Sequence, residues 1–177
     1  MNHQDQTLNN CGPASLAILL GYYDLTVPQS DVQDWAAGRP SPCFLPWYAA
    51  EMGLQAEVYR FPQARDSRLT VIRALLAQNI PVIVLQLLEP GSYICHYRVI
   101  QGYDDATEEF ISDDPLLGPD YRLSYDTFAR LLNRAGALFV PVYPPEKEQE
   151  VTRLATEMYA RRWTDFDGLS CTQLEQG

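Results

Sequence analysis

The hydrophobic pattern changes character along the chain. The first half carries helical patterns. "ASLAILLGYY" (14–23) is apolar on every side, which predicts a buried helix from Pro13 to about Tyr23, with Pro13 at the first helical position. "TVPQSDVQDWAAG" predicts a second helix, with Ser30 as N-cap and Gly38 as its stop. "CFLPWYAAEMG" predicts a third, ending at Gly53, with Pro46 in its first turn. "LQAEVYRF" alternates and predicts a strand. "DSRLTVIRALLAQN" is amphipathic, with Val71, Leu75 and Leu76 on one face and Ile72 at its edge.

The second half is mostly β-patterned. "PVIVLQLL" is a near-continuous β-branched and leucine run, the pattern of a buried strand. "YICHYRVIQGYDD" predicts another strand, turning at Asp104–Asp105 and forming a hairpin with "TEEFISDDP". "SYDTFARLLNRAG" predicts a short helix capped by Ser124, and "ALFVPVYPP" a last strand. Helices first and an antiparallel sheet second predict an α+β fold, not a doubly wound one.

No repeat and no linker interrupts the chain before about Pro144, which predicts one main domain over residues 1–145 and a helix and tail over 146–177. The tail helix places Val151, Leu154, Met158 and Arg162 on one face, for docking on the domain or for a partner. "TDFDGLSCTQLEQG" has the composition of a poorly ordered end.

At 177 residues the chain can bury a sizeable core, and its 46% hydrophobic content is ordinary. The formal net charge of −10 argues against nucleic acid or an anionic membrane as partner, because both are bound through basic patches. No run approaches the ~18 apolar residues of a membrane span. "MNHQDQTLNN" has neither the basic start nor the apolar centre of a signal peptide, which favours a cytoplasmic location and leaves a secreted one open. The four cysteines, Cys11, Cys43, Cys95 and Cys171, form no C-x-x-C, so no zinc site is expected. Free thiols and a reducing compartment are the expectation for them, with a Cys43–Cys95 bridge left open.

Cys11 raises the chemical question. A thiol at a helix N-terminus feels the positive end of the helix dipole, which favours the nucleophilic thiolate. Gly12 beside it would let a substrate carbonyl approach, and a buried helix is a rigid mount for a group that must not move. Taken alone, Cys11 reads rather as a small buried hydrophobe. A cysteine nucleophile needs a base, and the chain has two histidines. His3 sits in a polar terminus and reads as incidental. His96 lies in "YICHYRVI" among core residues, while Cys95 beside it points the other way and reads as structural. "ISDDP" on the next strand offers Asp113 and Asp114, which point to opposite faces, so only one can orient His96. The alternative is that both cap a turn before Pro115. Gln6, with Gln4 as competitor, could join the Cys11 N–H in stabilising an oxyanion.

"QTLNNCGPASLAILLGYY", "HYRVIQGYD", "DPLLGP" and "LSYDTF" together resemble the papain-like cysteine peptidases of the bacteriocin-processing family. They resemble still more closely its stand-alone bacterial relatives, the peptidase C-thirty-nine-like proteins. The resemblance spans Gln6 to about Tyr143. It implies a papain-like fold: a helical part carrying Cys11, a sheet part carrying His96 and Asp114, and a cleft between. It implies Cys11 as nucleophile, His96 as general base and then acid, Asp114 as the group orienting His96, and Gln6 in the oxyanion hole. Exporter-linked members often place the glutamine six positions before the cysteine, against five here.

The resulting expectation is a cysteine peptidase acting on a peptide or protein through an acyl-enzyme, with no metal or organic cofactor. The rival expectations are an amidase or acyltransferase on the same triad, and a papain-fold binding module without turnover.

Overall fold

The computed structural model describes residues 2–39, 41–132, 137–158, 160–164 and 170–171. Helix α1 (Cys11–Leu20) begins two residues earlier than the pattern predicts, and a 3-10 turn continues it to Tyr23. Every α1 residue except Cys11 and Pro13 is buried, as an all-round apolar helix requires. Pro13 still falls in the first turn, where the backbone N–H has no partner within the helix.

Helix α2 (Gln29–Ala36) has Pro28, not Ser30, at its cap position, and the Ser30 hydroxyl bonds Asp31 instead. Helix α3 (Phe44–Glu51) follows. Gly38 and Gly53 both have φ of +77°, the left-handed conformation that stops α2 and α3.

"LQAEVYRF" divides into two short strands, β1 (Gln55–Ala56) and β2 (Tyr59–Arg60). Helix α4 (Arg65–Ala77) buries Val71, Ile72, Leu75 and Leu76, the face its spacing predicts. Strands β3 (Val82–Leu87), β4 (Cys95–Asp104) and β5 (Glu109–Asp114) follow in antiparallel register. Strand β6 (Gly118–Ser124) escapes the sequence pattern, being mostly polar and part-exposed. Helix α5 (Tyr125–Leu131) is capped by Ser124, whose hydroxyl accepts from the Thr127 N–H at 3.2 Å. Strand β7 (Leu138–Tyr143), helix α6 (Glu148–Glu157) and strand β8 (Arg161–Arg162) complete the described chain.

The sheet runs β6-β5-β4-β3-β7-β2-β8, with β1 also on β7 and every pair antiparallel. Two cores lie on its two faces. Ile83, Val99, Val140 and Val142 pack with α1 and α3; Val82, Val84, Ile100 and Phe139 pack with α4, α5 and α6. Helices therefore cover both faces, which is why "PVIVLQLL" is apolar on both sides.

Helix α6 adds Val151, Leu154 and Ala155 to the second core, and Met158 packs against it. Arg162 does not extend that face: the helix has ended, and Arg162 is exposed in β8 opposite Tyr59. Of the stretch expected to be poorly ordered, only Thr164, Ser170 and Cys171 lie within the described residues.

The expectation of four free thiols is corrected. Cys43 and Cys171 form a disulfide across 128 residues of sequence. The chain passes back beside α3 after β8, where the Trp47 indole donates to the Cys171 carbonyl at 3.3 Å. Cys95 takes no part in that bridge and is exposed at the start of β4. Among the described residues no helix is long and apolar enough to cross a membrane, and no three potential metal-ligating side chains gather.

Candidate active site

The N-terminus of α1 meets the first residues of β4. Cys11 is the first residue of the helix, and its sulfur interacts with the His96 side chain and the Tyr97 backbone. Gly12 has a packing reason that the sequence does not reveal. A Cβ there would lie 2.8 Å from Phe44 Cζ and 3.3 Å from Tyr97 Cδ2, so only glycine lets α1 sit this close to α3 and β4.

His96 is buried at the start of β4, and its Nε2 donates to Asp114 Oδ1 at 2.9 Å. That leaves Nδ1 to meet the Cys11 sulfur. The two strands explain the reach. Val99 pairs with Asp113, so continuing the register puts Arg98 opposite Asp114 and His96 on the diagonal, within range of long side chains.

Asp114 is fully buried. Its Oδ1 also accepts from the Leu116 N–H at 2.9 Å and the Leu117 N–H at 3.0 Å. Turn-capping and contact with His96, read from sequence as alternatives, thus coexist on one oxygen. Asp113 points the other way and binds His3: Nδ1 lies 2.5 Å from its Oδ1. His3 is therefore not incidental.

Charge states follow from these contacts. Burial pushes the Cys11 thiol up, but the hydrogen bond and charge of His96 and the Tyr97 N–H outweigh it, and its pKa is lowered. Burial pulls His96 down, the hydrogen bonds to Asp114 and Cys11 push it up more strongly, and its pKa is raised. Burial also opposes ionisation of Asp114, but His96 and Arg98 hold its carboxyl below the usual range. The pair is thus biased toward thiolate and imidazolium.

The two glutamines separate cleanly. Gln4 is committed at both ends of its amide: Nε2 donates to the Val27 carbonyl and Oε1 accepts from the Gln29 N–H, each at 2.8 Å. Gln6 is pinned through its backbone, whose N–H donates to the Pro115 carbonyl at 2.7 Å, while its buried Oε1 has no hydrogen-bond partner among the described residues. Gln6 thus lies beside the turn that follows Asp114, five residues from Cys11.

Arg98 is the residue that the motif reading missed. It is fully buried, and its Nε lies 3.2 Å from Asp114 Oδ2. The approach is that of an ion pair whose N–H is not aligned for a hydrogen bond. The available signal was its spacing: two residues after His96 on a strand is the same face.

This chain has the α+β, papain-like architecture of the C39 peptidase domains it is similar to. It belongs to the Peptidase_C39 like family, whose profile matches residues 1–136. The family and the fold support a cysteine peptidase. Among solved structures it is similar to the peptidase domain of Streptococcus ComA, a bi-functional ABC transporter involved in quorum sensing. That match has 18% identity and a TM-score of 0.60, covering 80% of this chain and 96% of that one. It is also similar to the N-terminal peptidase C39 like domain of a toxin secretion ATP-binding protein from Vibrio parahaemolyticus. Here identity is 16% and the TM-score 0.52, covering 78% of this chain and 99% of that one. Among curated proteins nothing matches.

Proposed function

We propose that the protein hydrolyses peptide bonds through a Cys11–His96–Asp114 triad. The observation that carries this reading is the unbroken chain of contacts from the Cys11 sulfur through His96 to Asp114 Oδ1. The Cys11 thiolate attacks the amide carbonyl carbon. The developing oxyanion takes hydrogen bonds from the Cys11 backbone N–H and the Gln6 side-chain amide. The His96 imidazolium gives its proton to the leaving amine, and a thioester remains on Cys11. His96, now neutral, takes a proton from water, which attacks the thioester and releases the carboxylic acid and the thiolate. Asp114 keeps the imidazole in position throughout.

An amidase or acyltransferase would use the same acyl-enzyme. The surround favours a polypeptide. Among the described residues the exposed large apolar side chains are Leu8, Tyr22, Tyr93, Ile94, Leu116 and Leu117. All but Tyr22 sit within three residues of Cys11, His96 or Asp114. Exposed apolar side chains that flank the site residues in sequence suit a chain with apolar residues near the cleaved bond.

The test is alkylation of Cys11 by iodoacetamide against pH, read by peptide mass spectrometry so that Cys95 is counted separately, in the wild type and His96→Ala. Fast reaction persisting below pH ~7 and lost in the variant supports the triad. A rate that rises only near pH ~8.5 in both proteins overturns it. A peptide library with Cys11→Ser as control then defines the substrate.

A further inference from the structure

We propose that Arg98 is a positioning residue of this site: it fixes the far oxygen of Asp114 and offsets part of the negative field that Asp114 places on His96. The inference rests on the triad reading and deepens it.

The two oxygens of Asp114 divide their labour. Oδ1 takes His96 Nε2, Leu116 N–H and Leu117 N–H. Oδ2 faces Arg98 Nε and makes no hydrogen bond of its own among the described residues. With both oxygens engaged from different sides, the carboxylate cannot rotate, and the oxygen facing His96 is always the same one.

The guanidinium is itself held from three sides. Asp114 lies on β5, Nη2 donates to the Leu88 carbonyl at 2.9 Å, and Cζ stands 5.9 Å from the centre of the Tyr121 ring on β6. Placing a charged side chain at a fully buried strand position is expensive, since the desolvation of a buried ion pair is only offset when the geometry is good. A valine or isoleucine would suit the strand better. The position therefore calls for a reason beyond stability.

The chemistry supplies one. His96 must be protonated to pair with the thiolate, yet must surrender that proton to the leaving amine. A buried carboxylate with no counter-charge would hold the proton on His96 too tightly for an efficient general acid. The groups facing His96 are Asp114 from β5, Cys11 from α1 and Arg98 from its own strand. Asp114 and the Cys11 thiolate both favour the imidazolium. Among the described residues Arg98 is the cation acting against it.

The test follows His96 directly by NMR of its imidazole protons, at a series of pH values, in the wild type, Arg98→Met and Arg98→Lys. The chain has two histidines, and the signal that survives in His3→Gln is His96. Loss of the cation in Arg98→Met raises the His96 midpoint by about one pH unit. Arg98→Lys keeps the charge and stays near the wild-type midpoint. An unmoved midpoint in a folded Arg98→Met protein overturns the proposal and leaves Arg98 a structural ion-pair partner.

If Arg98→Met does not fold, the double variant Arg98→Met/Asp114→Asn decides. There the carboxylate has lost its charge along with the cation, and the same titration is read against Asp114→Asn alone: a higher His96 midpoint in the double variant supports the proposal, and equal midpoints overturn it. The alkylation assay keeps the two readings apart. A reactive Cys11 with an unmoved His96 midpoint sinks this inference alone. A shifted midpoint with an inert Cys11 upholds the coupling and sinks the peptidase.

Discussion

His3 and Asp113 are 110 residues apart in sequence, and the His3 Nδ1 lies 2.5 Å from the Asp113 Oδ1. Two consecutive aspartates at the end of β5 thus bind the chain's two histidines, Asp113 on one side of the strand and Asp114 on the other. The first pair holds the N-terminal segment that carries Gln6; the second pair meets Cys11. We expect His3→Gln or Asp113→Asn to loosen Gln6, lowering peptide hydrolysis while Cys11 alkylation continues at the wild-type rate. Measuring both rates on each variant checks this, and an equal loss of both would sink it.

That clamp also depends on pH. Burial pulls His3 down, but its bonds to Asp113 and Asp5 outweigh burial and raise its pKa. A raised pKa means the bridge is fully present below the unfolded value of ~6.5 and is lost as pH rises through the folded one. Hydrogen exchange at the Gln6 amide, bonded to the Pro115 carbonyl, is expected to quicken over that window beyond its intrinsic rise with pH.

Asp114→Asn removes the main support of the imidazolium, so the His96 pKa falls and the Cys11 alkylation curve moves to higher pH. At pH 6 the rate drops at least ~10-fold, one pH unit being a factor of ten. In the wild type the lowered Asp114 pKa stabilises the fold above the unfolded carboxylate value of ~3.9 and is lost as pH falls through the folded one. Urea midpoints measured from pH 6 downward follow that loss, and Asp114→Asn flattens it.

Gly12→Ala forces its new methyl against Phe44 Cζ, 2.8 Å away. Overpacking of this kind costs about 1–3 kcal/mol. We expect a lower Tm and slower alkylation of Cys11, both partly restored by adding Phe44→Leu. A Gly12→Ala protein with unchanged Tm would show that Phe44 yields freely.

Replacing Cys43 and Cys171 together by serine opens a loop spanning 128 residues. In the chain-entropy account such a crosslink contributes about 4–5 kcal/mol, so the urea midpoint of the double variant should fall well below that of the wild type.

Where one physical signal dominated, the sequence was readable. The all-round apolar α1 could only be buried, and the spacing of Val71, Leu75 and Leu76 fixed the inner face of α4. Cys11, His96 and Asp114 stood out because their chemistry is scarce in a core, though only the family resemblance chose Asp114 over Asp113. What stayed hidden depends on the folded chain returning on itself. Strand β6 is polar because much of it faces solvent at the sheet edge, so no alternation betrayed it. The His3–Asp113 bridge and the Cys43–Cys171 disulfide join segments more than 100 residues apart, which no local pattern encodes. Arg98 was concealed by the usual assumption that an arginine faces water.

The disulfide has a practical corollary. Both of its cysteines are buried, Cys43 at 0% and Cys171 at 3% exposure, whereas Cys11 is partly open and Cys95 exposed. Thiol–disulfide exchange needs an attacking thiolate to reach a sulfur along the S–S axis. A mild reductant therefore regenerates an oxidised Cys11 in the folded protein long before it touches the crosslink. The two kinds of sulfur, one chemical and one architectural, can be poised independently in a single tube.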